Sequence, residues 1–129
     1  MDYLNGRINR ATYFMLLASL VAMIVIVGVL SPGGRLPGEL LLAFIIVPRL
    51  HDLGRSGWYV LAILLIEIVG LVVILSQMPF DQTSVGIGIM AIVMFVLAIG
   101  LGLVPGQAGP NRFGKQPAPG IQWGKTPKS

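Results

Sequence analysis

The run from Ala11 to Leu30 contains no charged residue. At 1.5 Å per residue its twenty positions extend about 30 Å, the thickness of the hydrocarbon core of a bilayer. Its eleven Phe, Leu, Ile and Val residues favour insertion by roughly 3–7 kcal/mol. Arg7 and Arg10 precede it, as in a signal peptide. The run is longer than a signal-peptide core, however, and Ser31-Pro32-Gly33-Gly34 is a turn without a small-x-small cleavage pattern. The segment therefore reads as a retained membrane helix.

Three further segments share this character. Trp58 to Met78 holds thirteen Leu, Ile and Val residues around a single acid, Glu67. Their gain of roughly 4–8 kcal/mol exceeds the cost of about 3 kcal/mol for one charge at the bilayer centre. Val85 to Val104 is apolar and interrupted only by glycines, which permit close helix contacts in a membrane. The remaining segment is weaker. Glu39 to Val47 is too short to cross, and it reaches a suitable length only if it starts near Leu36 and continues through Pro48 to Leu53. Pro48 then removes a backbone donor and kinks the helix. Arg49, His51 and Asp52 fall at its polar end.

Hydrophobic residues make up 55% of the chain and charged ones 11%, against about 25% charged in a soluble protein. A water-soluble domain of this composition would leave large apolar patches exposed. The chain has no cysteine, so it has neither a disulfide framework nor a thiolate metal site. The pattern predicts an all-α membrane protein, a compact bundle of four transmembrane helices over about 11–30, 36–53, 58–78 and 85–104. These form a domain over residues 1–114, followed by a flexible tail over 115–129 that is rich in Gly, Pro and Lys.

Charge placement sets the expected orientation. Arg7, Arg10, Arg49, Arg55, Arg112, Lys115, Lys125 and Lys128 fall on one side of this topology, and Arg35 alone on the other. Basic residues concentrate on the cytoplasmic side, so both termini are expected there. The same placement removes the nucleic-acid reading that the net charge of +4 invites. Tyr13, Trp58 and Tyr59 fall where interfacial aromatics are expected.

Three short motifs stand at the cytoplasmic side: Gly6-Arg7-Ile8-Asn9-Arg10, Arg49-Leu50-His51-Asp52-Leu53-Gly54-Arg55-Ser56-Gly57-Trp58, and Gly109-Pro110-Asn111-Arg112-Phe113-Gly114. In order and spacing they resemble the bacterial inner-membrane family known as domain of unknown function 805. The resemblance spans nearly the whole chain, with the middle motif the most specific. It implies location in the bacterial inner membrane and the architecture above, and it carries no established activity. This chain has Pro48 where the family often has an arginine, and Gln116 where it often has an acid.

The topology allows the motifs to meet as one polar cluster. Arg49 and Asp52 are three apart and share a helix face. Gly54 is placed to end the helix, and Ser56 to cap the next one. With Arg7, Arg10, Arg55, Asn111 and Arg112 nearby, the cluster offers an anion site, and the natural occupant is an anionic lipid headgroup or a membrane-protein partner. Positive-inside topology alone also accounts for the arginines; Asp52 then neutralises Arg49 or Arg55. It accounts less well for His51 and Asp52.

Glu67 is the candidate intramembrane polar site, read either as part of a proton or cation step or as a protonated carboxyl bonded to another helix. Enzyme signatures are poor. Adjacent His51 and Asp52 side chains point apart on a helix, which disfavours a triad with Ser56. One histidine does not make a zinc site, and no Gly-rich nucleotide motif occurs. No cofactor is expected. Ala98, Gly102 and Gly106, like Ala18 and Ala22, have the spacing of close helix contacts, within the monomer or in a homodimer. The leading function is a non-enzymatic membrane component that binds lipid or protein. The alternative is a small transporter or transport accessory using Glu67.

Overall fold

A computed structural model describes residues 6–31 and 38–122. It holds four helices: α1 (Arg10–Leu30), α2 (Gly38–Asp52), α3 (Tyr59–Gln77) and α4 (Thr83–Leu103). The described residues contain no strand beyond a single bridge between Asn111 and Gly114.

The helix ends follow from local chemistry. Asn9 caps α1, its side-chain oxygen accepting the Thr12 amide at 2.8 Å. α2 stops at Gly54, which sits at φ +71°, a conformation glycine adopts freely. The Arg55 amide then reaches the Leu50 carbonyl at 2.8 Å and the Gly54 amide reaches that of His51 at 3.0 Å. This pair of bonds is the Schellman closure of a helix. α3 is entered through a turn in which Tyr59, Val60 and Leu61 donate to the carbonyls of Ser56, Gly57 and Trp58. Ser56 does not cap the helix. Trp58 takes the cap position with no side-chain bond, and the Ser56 hydroxyl accepts the Trp58 amide at 3.4 Å.

Three helices, α1, α3 and α4, are long and apolar enough to cross a membrane. α2 has fifteen residues, about 22 Å of helix, which is short of the roughly 30 Å of hydrocarbon. Its expected start near Leu36 lies outside the described residues. α2 packs against α1, α3 and α4, and α4 against α1 and α3. The start of α1, the end of α2, the start of α3 and the end of α4 gather at one end of the bundle. The Ile8 amide there donates to the Pro48 carbonyl at 3.3 Å and the Gln107 amide to that of Asp52 at 2.8 Å.

Burial concentrates at that end. One core cluster joins Ile8, Tyr13, Leu17, Leu20, Ile45 and Ala98, and another joins Ile46, Leu50 and Val60. Toward the opposite end the helices expose large apolar side chains, such as Val29 at 73% and Leu75 at 59%. Continuous apolar surface of this kind belongs against lipid rather than water. Trp58 and Tyr59 are exposed at the charged end, but Tyr13, expected beside them, is fully buried. Its hydroxyl donates to the Ala98 carbonyl at 2.8 Å, which brings α1 close to α4.

The chain past α4 keeps its contacts beyond the boundary that composition places at residue 114. Asn9 donates to the carbonyls of Ala118 and Gly120, both at 2.6 Å. The Gln122 amide donates to the Thr12 hydroxyl at 3.0 Å. Residues 123–129, the rest of the expected tail, lie outside the described residues.

Candidate functional site

Arg49 stands in the last turn of α2 and is completely buried. A buried guanidinium requires acceptors for its N–H groups, and the end of α4 supplies them. The last carbonyls of a helix lack intrahelical donors and carry the negative end of its dipole. Arg49 Nε donates to Leu101 O at 3.4 Å, Nη2 to Gly102 O at 3.3 Å and also to Val104 O. Nη1 reaches Ile8 O at 3.4 Å and Asp52 Oδ2 at 2.6 Å. The cation also lies 5.9 Å from the centre of the Tyr13 ring. Arg49 thus works as a side-chain cap for α4.

Arg7 approaches the other oxygen of Asp52. Its Nε and Nη2 donate to Asp52 Oδ1 at 3.1 and 3.0 Å. Nη2 also donates to Gln107 O at 2.6 Å, and Nη1 to Gly109 O at 2.7 Å and Gly114 O at 3.3 Å. Asp52 therefore bridges two arginines, each side chain almost free of solvent contact. The pair of cations exceeds the single anion by one charge, and backbone carbonyl dipoles offset the surplus. Among the described residues no buried side-chain nitrogen or oxygen lacks a partner. Gly106 makes the approach possible, because a Cβ there would overlap the Asp52 carboxylate. Gly102 does the same for Phe14 and Tyr13, where a Cβ would stand 2.6 Å from Phe14 Cζ. Ala98, Gly102 and Gly106 are thus used inside the monomer.

The third motif closes over α2. Asn111 Nδ2 donates to His51 O at 2.8 Å, and Asn111 Oδ1 accepts the Phe113 amide at 2.9 Å. This turn lays the Phe113 ring flat on His51, with centroids 3.9 Å apart and planes 6° from parallel. The Arg112 guanidinium sits over the Phe113 ring, 4.7 Å from its centre. His51 Nδ1 lies 3.2 Å from Gly6 O. A carbonyl can only accept, so Nδ1 carries the proton.

The three motifs meet here as one cluster of Arg7, Arg49, His51, Asp52 and Asn111. Asp52 pairs with Arg49 and with Arg7, not with Arg55, which is exposed. Arg10 is also exposed. Ser56 and Arg112 stand at the rim, lining a cleft of about 640 Å³ with His51, Trp58 and Phe113. Asp52 does not orient His51, so the hydrolase-triad arrangement is not formed. Among the described residues no group of three His, Asp or Glu side chains could hold a metal ion. Glu67 lies apart, half-buried two turns into α3.

Sequence reasoning missed Tyr13, Gln107 and Phe113. Phe113 belongs to a motif, yet nothing local tells that its ring will cover His51. Gln107 acts through its backbone, which leaves no trace in residue type.

Three lipid-compatible helices, with a charged cluster buried at one end, define a membrane-embedded helical protein. A model of the family described as "Protein of unknown function (DUF805)" matches residues 38–115. That is more than half of the chain, and the chain belongs to this family. The match runs from the start of α2 through the third motif, and Arg7 ties the first motif, outside it, to both of the others. No curated protein and no solved structure matches the chain.

Proposed function

We propose that the protein is a four-span component of the bacterial inner membrane, with both termini in the cytoplasm. In this reading it is not an enzyme; it binds anionic lipid headgroups at its charged end. The observation that carries it is a division of labour among the arginines. Arg7 and Arg49 are buried and committed to Asp52 and to backbone carbonyls. Arg10, Arg55 and Arg112 are exposed at the same end of the bundle. Exposed cations at a membrane surface attract anionic lipid by about 1 kcal/mol each. α2 returns the chain to the charged end, so its span completes an even number of crossings and keeps both termini on one side.

The test compares lipid retained by the purified wild type with that retained by Arg55→Ala and Arg112→Ala. Anionic lipid falls in each variant while zwitterionic lipid and helicity stay constant. Unchanged anionic lipid in both variants overturns the reading.

A second reading rests on Glu67, half-buried near the middle of α3. An intramembrane acid suits a proton or cation step. A pH-dependent flux in liposomes that Glu67→Gln abolishes supports it, and wild-type liposomes no leakier than empty ones reject it.

A further inference from the structure

The cleft beside the Arg7–Asp52–Arg49 cluster has a definite chemistry. Its polar wall is His51, Ser56 and Arg112, and its apolar wall is Val47, Leu61 and the Trp58 ring. His51 is only 7% exposed and is fixed from two directions. Its Nδ1–H is spent on Gly6 O, and Phe113 holds the ring plane. With the proton on Nδ1, the neutral ring presents Nε2 as a bare acceptor. Nε2 faces Gly57, where an added Cβ would stand 3.3 Å away. Gly57 therefore leaves that nitrogen open to the cleft, and no donor from the described residues reaches it. Nε2 is open to the cleft and not enclosed in the bundle, since no buried side-chain nitrogen among the described residues lacks a partner, so a ligand seated in the cleft can donate to it.

Two other groups specify the rest of that ligand. Arg112 brings a guanidinium, the side chain best matched to phosphate oxygens. The Ser56 hydroxyl accepts the Trp58 amide, which leaves its own proton to donate. Both ask for an anion. Leu61 and Trp58 are 52% and 75% exposed, so the apolar wall continues onto the lipid-facing surface of α3. A soluble anion would leave that wall unused, whereas an acyl chain would cover it.

We infer that the cleft seats one phospholipid whose phosphodiester carries a hydroxyl-bearing headgroup, of the phosphatidylglycerol type. The phosphate rests on Arg112 and Ser56, a headgroup hydroxyl donates to His51 Nε2, and an acyl chain runs along Val47 and Leu61. This rests on the lipid-binding reading above and goes further, because charge alone does not discriminate between headgroups of equal charge.

The experiment exploits that difference. Wild-type protein in mixed micelles is offered phosphatidylglycerol and phosphatidylmethanol, which carries the same charge but no headgroup hydroxyl, and bound lipid is read by native mass spectrometry. One net hydrogen bond corresponds to a preference of about five- to tenfold for phosphatidylglycerol. His51→Phe, which keeps a ring against Phe113, brings the ratio to about one while total anionic lipid persists. Gly57→Ala, which places a methyl group over Nε2, does the same and serves if His51→Phe does not fold. Equal retention of both lipids by the wild type overturns the cleft assignment and leaves general anionic binding standing. Retention of neither overturns both. Displacement of the bound lipid by equimolar glycerol phosphate also overturns the assignment, since the acyl chain would then contribute nothing.

Discussion

The guanidinium of Arg7 donates twice to one oxygen of Asp52, at 3.1 and 3.0 Å, across forty-five positions of sequence. The other oxygen receives Arg49 at 2.6 Å. Asp52 thus joins the segment before α1 to the end of α2, and through Arg49 to the end of α4.

Removing the charge of Asp52 leaves two buried arginines facing each other. Breaking a buried ion pair from one side costs about 3–5 kcal/mol. Asp52→Asn should lower stability by this order in thermal or denaturant unfolding. Arg7→Ala combined with Asp52→Ala should cost less than the sum of the two single changes, because the partners are coupled. A loss below about 0.5 kcal/mol for Asp52→Asn, the usual range for a neutral surface change, would show that the cluster is not structural.

Arg7→Lys preserves charge but not geometry. An ammonium has three donors at one point and cannot reach Asp52 together with the carbonyls of Gln107, Gly109 and Gly114. Hydrogen exchange over residues 107–114 should accelerate while that of α3 stays unchanged. Equal exchange in both proteins would mean that Arg7 does not hold this segment.

Two glycines, Gly106 past the end of α4 and Gly100 within it, separate packing from propensity. Gly106→Ala drives a Cβ into the Asp52 carboxylate and should cost about 1–3 kcal/mol as overpacking. Gly100 has nothing within 4 Å of an added Cβ, so Gly100→Ala should be neutral or stabilise α4 by up to about 1 kcal/mol. Melting temperatures of the two variants decide the matter, and the same order of loss at both sites would contradict the packing described.

The chain has no cysteine, so single introduced thiols report topology directly. Ser31→Cys and Asp81→Cys lie at the end away from the arginine cluster. Both should react with an impermeant maleimide added outside intact cells stripped of their outer membrane. Lys115→Cys should react only after permeabilisation. The reverse pattern would invert the orientation, and labelling of only one of the first two would remove α2 as a span.

Three helices long and apolar enough to cross a membrane were legible in residue type. The run from Trp58 to Met78 corresponds to α3 at Tyr59–Gln77, because its thirteen Leu, Ile and Val residues outweigh the single acid Glu67 on insertion. Gly54 was legible as the end of α2, since its left-handed conformation is a local property. Ser56 was not, because the choice of cap depends on a turn that carries Trp58 into that position. Tyr13 looks like an interfacial aromatic from its place near a helix start. It is buried because Ala98 and Gly102 let α4 come close, and a contact across eighty-five positions leaves no local signal.

Length and hydrophobicity by themselves determined the helices, and the spacing of charge determined which ends gather together. They could not say which arginines would be buried. That was decided by tertiary structure, because the acceptors that make burial of Arg7 and Arg49 tolerable are carbonyls of the α4 terminus and of the loop after it. Every residue has such a carbonyl, so only the fold selects the ones that receive an arginine.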